Sequence, residues 1–128
     1  YNAFLLWKNG VNVGINSDDA SMARRLNQEA AKTIKYGGVP PLEALKMVTL
    51  NPAKMLHIDG YTGSIAEGKD ADIVIWSENP LSQYAIVEKT FVSGILMFDR
   101  DSALLTYYRR IKEYQRLYNK LIKKLEKE

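Results

Sequence analysis

The side chains that invite a chemical role are Asp18, Asp19, His57, Asp70 and Asp72. A carboxylate can take a proton from water and hand it to a leaving group, provided a nearby cation lowers the water's pKa toward neutrality. Asp18 and Asp19 close the short apolar run Val11–Ile15 and precede a helical pattern. By residue type alone, either reads first as a helix N-cap beside the positive end of the dipole. His57 is the sole histidine, and it reads as a surface or part-buried side chain rather than a ligand. Asp70 and Asp72 flank a β-branched run, where turn and strand-end hydrogen bonding accounts for them. Zero cysteines exclude disulfides and thiolate metal sites. The sequence contains no Gly-x-Gly-x-x-Gly, phosphate loop or Ser-His-Asp set.

These residues depend on elements that the pattern places around them. Ala3–Asn9 reads as the end of an amphipathic helix, with Gly10 as its left-handed cap. Val11–Ile15 follows as a short strand, so helix, glycine and strand form the αβ step of a parallel α/β fold. Met22, Leu26, Ala30 and Ile34 recur every four residues and predict one helix from Ser21 to Tyr36, stopped at Gly37 and Gly38. Pro41 opens a shorter helix with Ala44, Leu45 and Val48 inward. Asn51 and Pro52, cap then first-turn proline, predict a third that ends near His57.

Beyond His57 the composition turns to β, and Asp59–Gly63 is a turn-rich subdomain boundary. Gly63–Trp76 reads as a strand fragment, a tight turn at Gly68, and a strand Ile73–Trp76 buried on both faces. Val87–Val92 and Ile95–Phe98 are strands joined by a hairpin at Ser93 and Gly94. The last segment is a helix capped by Asp101 or Ser102. Its residues Leu104, Ile111, Tyr118 and Leu125, with Tyr107, Tyr114 and Leu121, form an apolar stripe at heptad spacing. Water penalises such a stripe, so it needs a surface. The expected surface is the β segment of its own chain and the helices beside it in a longer parent, with a homo-oligomer as second choice, because the tyrosine hydroxyls need partners.

At 128 residues, 46% hydrophobic and 26% charged, the chain is of globular type. No apolar run is long enough to span a bilayer. The formal net charge is +3. Arg24, Arg25, Lys32, Lys35 and the terminal lysines are interleaved with acids, which describes solvated helix faces rather than a nucleic-acid site. The sequence assigns no compartment.

The stretch GSIAEGKDADIVIW at Gly63–Trp76, with NPAKML at Asn51–Leu56, resembles the C-terminal part of the amidohydrolase superfamily, near its imidazolonepropionase-like members. The resemblance covers residues 1 to 99. It implies an α/β fold: the last strand of a (β/α)8 barrel and its following helices in residues 1–58, and a share of a composite β-sandwich in residues 59–99. A C-terminal helix in residues 100–128 lies outside it. It implies that Ser17 and Asp18 match the Ser/Thr-Asp closing the eighth barrel strand, where the aspartate binds a metal and shuttles a proton. Asp18 is then the catalytic residue and metal ligand, and capping falls to Asp19 or Ser21.

The family's other ligands, a His-x-His pair, a lysine or glutamate and two further histidines, have no counterpart here. The resemblance thus implies a parent enzyme that cleaves amide or cyclic-amide C–N bonds of a small molecule with a divalent metal, zinc as the first choice. This chain alone is expected to be inactive, to hold no metal, and to have the remainder of the barrel as its partner. The rival expectation is a non-catalytic interaction module that docks through its C-terminal helix.

Overall fold

The computed structural model describes residues 1–125. Helix α1 (Asn2–Lys8) ends at Asn9, and Gly10 turns the chain at φ 77°, a conformation that costs little only without a Cβ. The chain then runs extended through residues 11–17 without joining a sheet. This corrects the expected strand Val11–Ile15. A ladder needs a neighbour with free N–H and C=O groups, and the described residues place only helices beside this segment. Its polar groups pair with those helices instead. The Ile15 N–H donates to the Met47 carbonyl at 2.9 Å, and the Asn51 amide donates to the Val13 carbonyl at 2.9 Å.

The single helix expected from Ser21 to Tyr36 is two helices, α2 (Ala20–Ala23) and α3 (Leu26–Gly37). Between them Arg25 leaves helical geometry at φ −129°, and Arg24 Nε donates back to the Ala20 carbonyl at 3.2 Å. The break splits the apolar stripe: Ala30 is buried and Ile34 packs on the core, while Met22 stays exposed. Gly38, at φ 70°, ends α3 by donating its N–H to Ile34. Helix α4 (Pro41–Lys46) carries Pro41 in its first turn, where a missing N–H removes no bond. Helix α5 (Leu50–Met55) begins one residue before Asn51, so Thr49 and not Asn51 holds the cap position. That correction leaves the Asn51 amide available to Val13.

Val13, Val39, Ala44 and Met47 form the core, with Phe4, Trp7, Ile15 and Ile34 packed against them. Every buried side chain among the described residues lies between Val13 and Ala53. The junction beyond is tied down by polar contacts. Lys69 Nζ donates to the Asp59 carbonyl and to Ser64 Oγ, and the Asp70 N–H donates to the Tyr61 carbonyl.

Strands β1 (Ile73–Trp76), β2 (Val87–Val92) and β3 (Ile95–Asp99) form an antiparallel sheet in that order. Ile73 pairs with Phe91, and Thr90 with Phe98. Ser93 and Gly94 both have positive φ, 48° and 77°, which matches a type I′ hairpin to the strands' twist. Two expectations fail here. No strand forms after Gly63, where Ile65 is 86% exposed. Ile73–Trp76 is not buried on both faces, since Val74 and Ile75 are each 42% exposed. A strand is covered only where a second layer faces it, and none of the described residues supplies one there.

Helix α6 (Arg100–Leu125) follows β3 without a loop. Its first turn is capped by Asp99, whose Oδ1 accepts the Ser102 N–H at 3.0 Å, and not by Asp101 or Ser102. It touches β2 and β3, yet all of residues 101–125 are exposed. The stripe therefore does not fold back on this chain. The charge-biased end of the sequence, residues 126–128, lies outside the described residues.

Candidate functional site

Asp18 sits in the turn between the extended segment and α2, and both sides of that turn are fixed. Upstream, Val13 is buried and the backbone of residues 13–15 is bonded to α5 and to Met47. Gly14 lets α5 come close: a Cβ there would meet Met55 Sδ at 3.2 Å and Pro52 Cγ at 3.5 Å. Downstream, Asp19 Oδ1 accepts the N–H groups of Ser21 and Met22 at 2.7 and 2.8 Å. The Asp19 N–H in turn donates to Ser17 Oγ at 3.2 Å. Asp19 is thus the N-cap of α2.

Capping by Asp19 sets two adjacent carboxylates in different surroundings. Asp18 is exposed and makes no side-chain hydrogen bond or ion pair among the described residues. A carboxylate held on a fixed turn, with its lone pairs not spent on the backbone, can accept and release a proton.

The remaining sequence candidates fall elsewhere. His57 follows α5 in the left-handed region at φ 59°, is exposed, and belongs to no group of three or more His, Cys, Asp or Glu side chains among the described residues. Asp72 is a structural tie, its Oδ1 accepting the Ser93 N–H at 2.9 Å and its Oδ2 the Thr62 hydroxyl at 3.2 Å. The one feature missed from sequence is Asn51, which holds the extended segment that leads to Asp18. Its partner Val13 lies 38 residues away, so no local pattern could have announced it.

A protein zinc site needs three or four donors. No group of three or more His, Cys, Asp or Glu side chains converges among the described residues, and Asp19 is engaged by backbone N–H groups. The residues present do not make up a metal site. A concavity of about 940 Å³ lies between the helices and the sheet and is walled by side chains such as Leu45, Leu56, Ile73 and Trp76. Asp18 does not line it.

Helices packed around an extended segment, then a three-stranded antiparallel sheet, define a mixed α/β chain with one candidate acid–base group at a turn. That chain belongs to the amidohydrolase family, whose model matches residues 2–97. It is 40% identical over 100 residues to an imidazolonepropionase of Thermoplasma volcanium, a match spanning 71% of this chain and 24% of that protein. It is 42% identical over 78 residues to a 5-methylthioadenosine/S-adenosylhomocysteine deaminase of Thermoanaerobacter pseudethanolicus, covering 53% of this chain and 18% of that one. The crystal structure of an amidohydrolase from Thermotoga maritima superposes with a TM-score of 0.69 at 35% identity, over 74% of this chain and 25% of that one. The chain spans a quarter or less of the length of each of these proteins.

Proposed function

We propose that this chain is the C-terminal portion of a metal-dependent amidohydrolase that cleaves C–N bonds, amide or cyclic amide, in a small substrate, with Asp18 as its proton-transferring carboxylate. In this reading residues 1–58 complete a barrel, residues 59–99 contribute to a composite sandwich, and residues 100–128 are an appended helix. The observation that carries it is the division of labour at the turn, where Asp19 caps α2 and leaves Asp18 uncommitted. The family match across this segment and the relatives' names support the reaction class.

The chemistry assigned to Asp18 is a relay. As water adds to the carbon of the scissile bond, a carboxylate oxygen of Asp18 takes one of the water's protons. It then delivers that proton to the departing nitrogen, and ends the cycle ionised as it began. Such a positioned acid–base group contributes about 10²–10⁴-fold. The divalent metal of the family, zinc as the first choice, would need donors beyond the described residues. The chain alone is therefore proposed to be inactive.

Two substitutions in the whole enzyme test this. Asp18→Asn keeps the shape and removes the proton acceptor, and it should lower kcat by about 10²–10⁴-fold with KM little changed. Asp19→Ala removes the cap, and it should lower the melting temperature while kcat stays within a few-fold. Turnover of Asp18→Asn within a few-fold of the parent would overturn the assignment.

A further inference from the structure

Helix α6 carries an apolar face that nothing among the described residues covers. Wound at about 3.6 residues per turn, Leu104, Tyr107, Ile111, Tyr114, Tyr118 and Leu121 fall within one arc of roughly 100°. Each of these is at least 36% exposed. Arg109, Lys112, Arg116, Lys120, Lys123 and Lys124 occupy the opposite arc. Glu113 is the one acid on that side between Arg109 and Lys124, and Arg116 holds it at 2.6 Å. From Arg100 to Leu125 there are eight basic and two acidic side chains, against nine basic and eleven acidic in residues 1–99. The positive charge of the protein is therefore gathered on this helix.

That distribution selects among occupants. A second copy would bring two strongly positive helices side by side, with no acidic flank to pair them. A nucleic acid would answer the charge and leave the apolar arc in water. The tyrosines add a separate argument. Tyr107, Tyr108, Tyr114 and Tyr118 lie in or beside the arc, and a dry helix–helix seam would strand their hydroxyls. A lipid–water boundary offers headgroups and water to the hydroxyl and hydrocarbon to the ring.

We infer that α6 lies along an anionic lipid surface, its apolar arc at the acyl boundary and its Lys and Arg side chains among the headgroups. It rests on the bilayer and does not span it, since no helix among the described residues is long and apolar enough to cross a membrane. A basic residue close to an anionic leaflet contributes roughly a five-fold factor to partitioning.

Flotation of the 128-residue chain with vesicles tests the inference. Vesicles of phosphatidylglycerol mixed with phosphatidylcholine should carry the chain upward, and pure phosphatidylcholine should bind it at least ~10-fold more weakly. Ile111→Asp, in the middle of the apolar arc, and the pair Lys120→Glu/Lys123→Glu should each weaken anionic-vesicle binding by at least ~10-fold. Circular dichroism reports whether the helix persists in each variant, and the charge-reversed pair decides the matter if Ile111→Asp unwinds it. No flotation, or full binding by a helical Ile111→Asp, overturns the inference. So does a stable dimer in sedimentation that buries the face, or tighter binding to a single-stranded oligonucleotide than to the vesicles.

Discussion

The helical segment up to Ala53 and the sheet from Ile73 to Asp99 solve different halves of the folding problem. The helices enclose Val39, Ala44 and Met47 almost completely, at 1%, 0% and 0% exposure. The sheet pairs its backbone along both inner ladders and turns through a well-formed hairpin, yet not one of its side chains is buried. Backbone pairing is settled between neighbours in sequence, whereas burial needs a facing layer that can come from anywhere. Apolar burial stabilises by about 25 cal/mol per Å², so the helical segment rests on side chains and the sheet on its ladder.

The sharpest way to break this contrast is a matched pair of truncations. Met47→Ala should destabilise the chain by about 2–5 kcal/mol in urea unfolding, the usual cost of a cavity in a closed core. Ile75→Ala, at a position 42% exposed, should cost well under half of that. Equal losses would mean that the sheet is covered in solution. The seam between the two regions comes next. Gly63 has φ 84°, and a Cβ there would stand 2.6 Å from the Ala53 Cβ. Gly63→Ala should therefore cost about 2–4 kcal/mol, through strain and displacement of α5. Gly68 has φ 83° and nothing within 4 Å, so Gly68→Ala should cost only about 1 kcal/mol.

Asn51→Ala probes the helical side more gently. Losing the amide leaves the Val13 carbonyl without that donor, at about 1–2 kcal/mol. In the parent enzyme proposed above, the same change should lower kcat a few-fold by loosening the turn that bears Asp18. The smallest effect expected is at the end of the sheet. The Ser102 N–H, with help from Lys89, holds the Asp99 carboxyl below its ordinary value of 3.8. A depressed folded pKa gives stabilisation that is complete above the unfolded value and fades as pH falls through the folded one. Acidification below about pH 4 should thus fray the first turn of α6, seen as lost ellipticity. Asp99→Asn should abolish that dependence.

The same contrast explains what the residues disclosed beforehand. Gly10, Gly38 and the Ser93-Gly94 pair were readable because each acts on its own two or three neighbours. The family resemblance on Asn51–Leu56 and Gly63–Trp76 was readable for the same reason, being carried by contiguous residues. Val11–Ile15 has a strand's composition, but strand character belongs to a pair of segments, and its neighbours here are helices. The split at Arg24 and Arg25 is masked in the sequence because the four-residue apolar spacing runs straight through it. Asp99 as a cap is hidden in the sequence because the strand reaches it and the helix begins directly after it, and the Asn51 bond because its acceptor is remote. At the site, residue type leaves Asp18 and Asp19 equivalent as caps, and the resemblance gives capping to Asp19 or Ser21; the structure shows that Asp19 is the one that meets the Ser21 and Met22 N–H groups.

The absence of a linker between β3 and α6 has a mechanical consequence. Asp99 is at once the last strand residue, the acceptor of the Ser102 N–H and a partner of Lys89 at 3.7 Å. A rod of 26 residues, about 39 Å at about 1.5 Å per residue, is therefore mounted on the sheet as on a bracket, with no joint at which to swivel. A sideways force at its far end acts as torque on the β2–β3 ladder, and a fluorophore placed there would tumble with the sheet instead of independently.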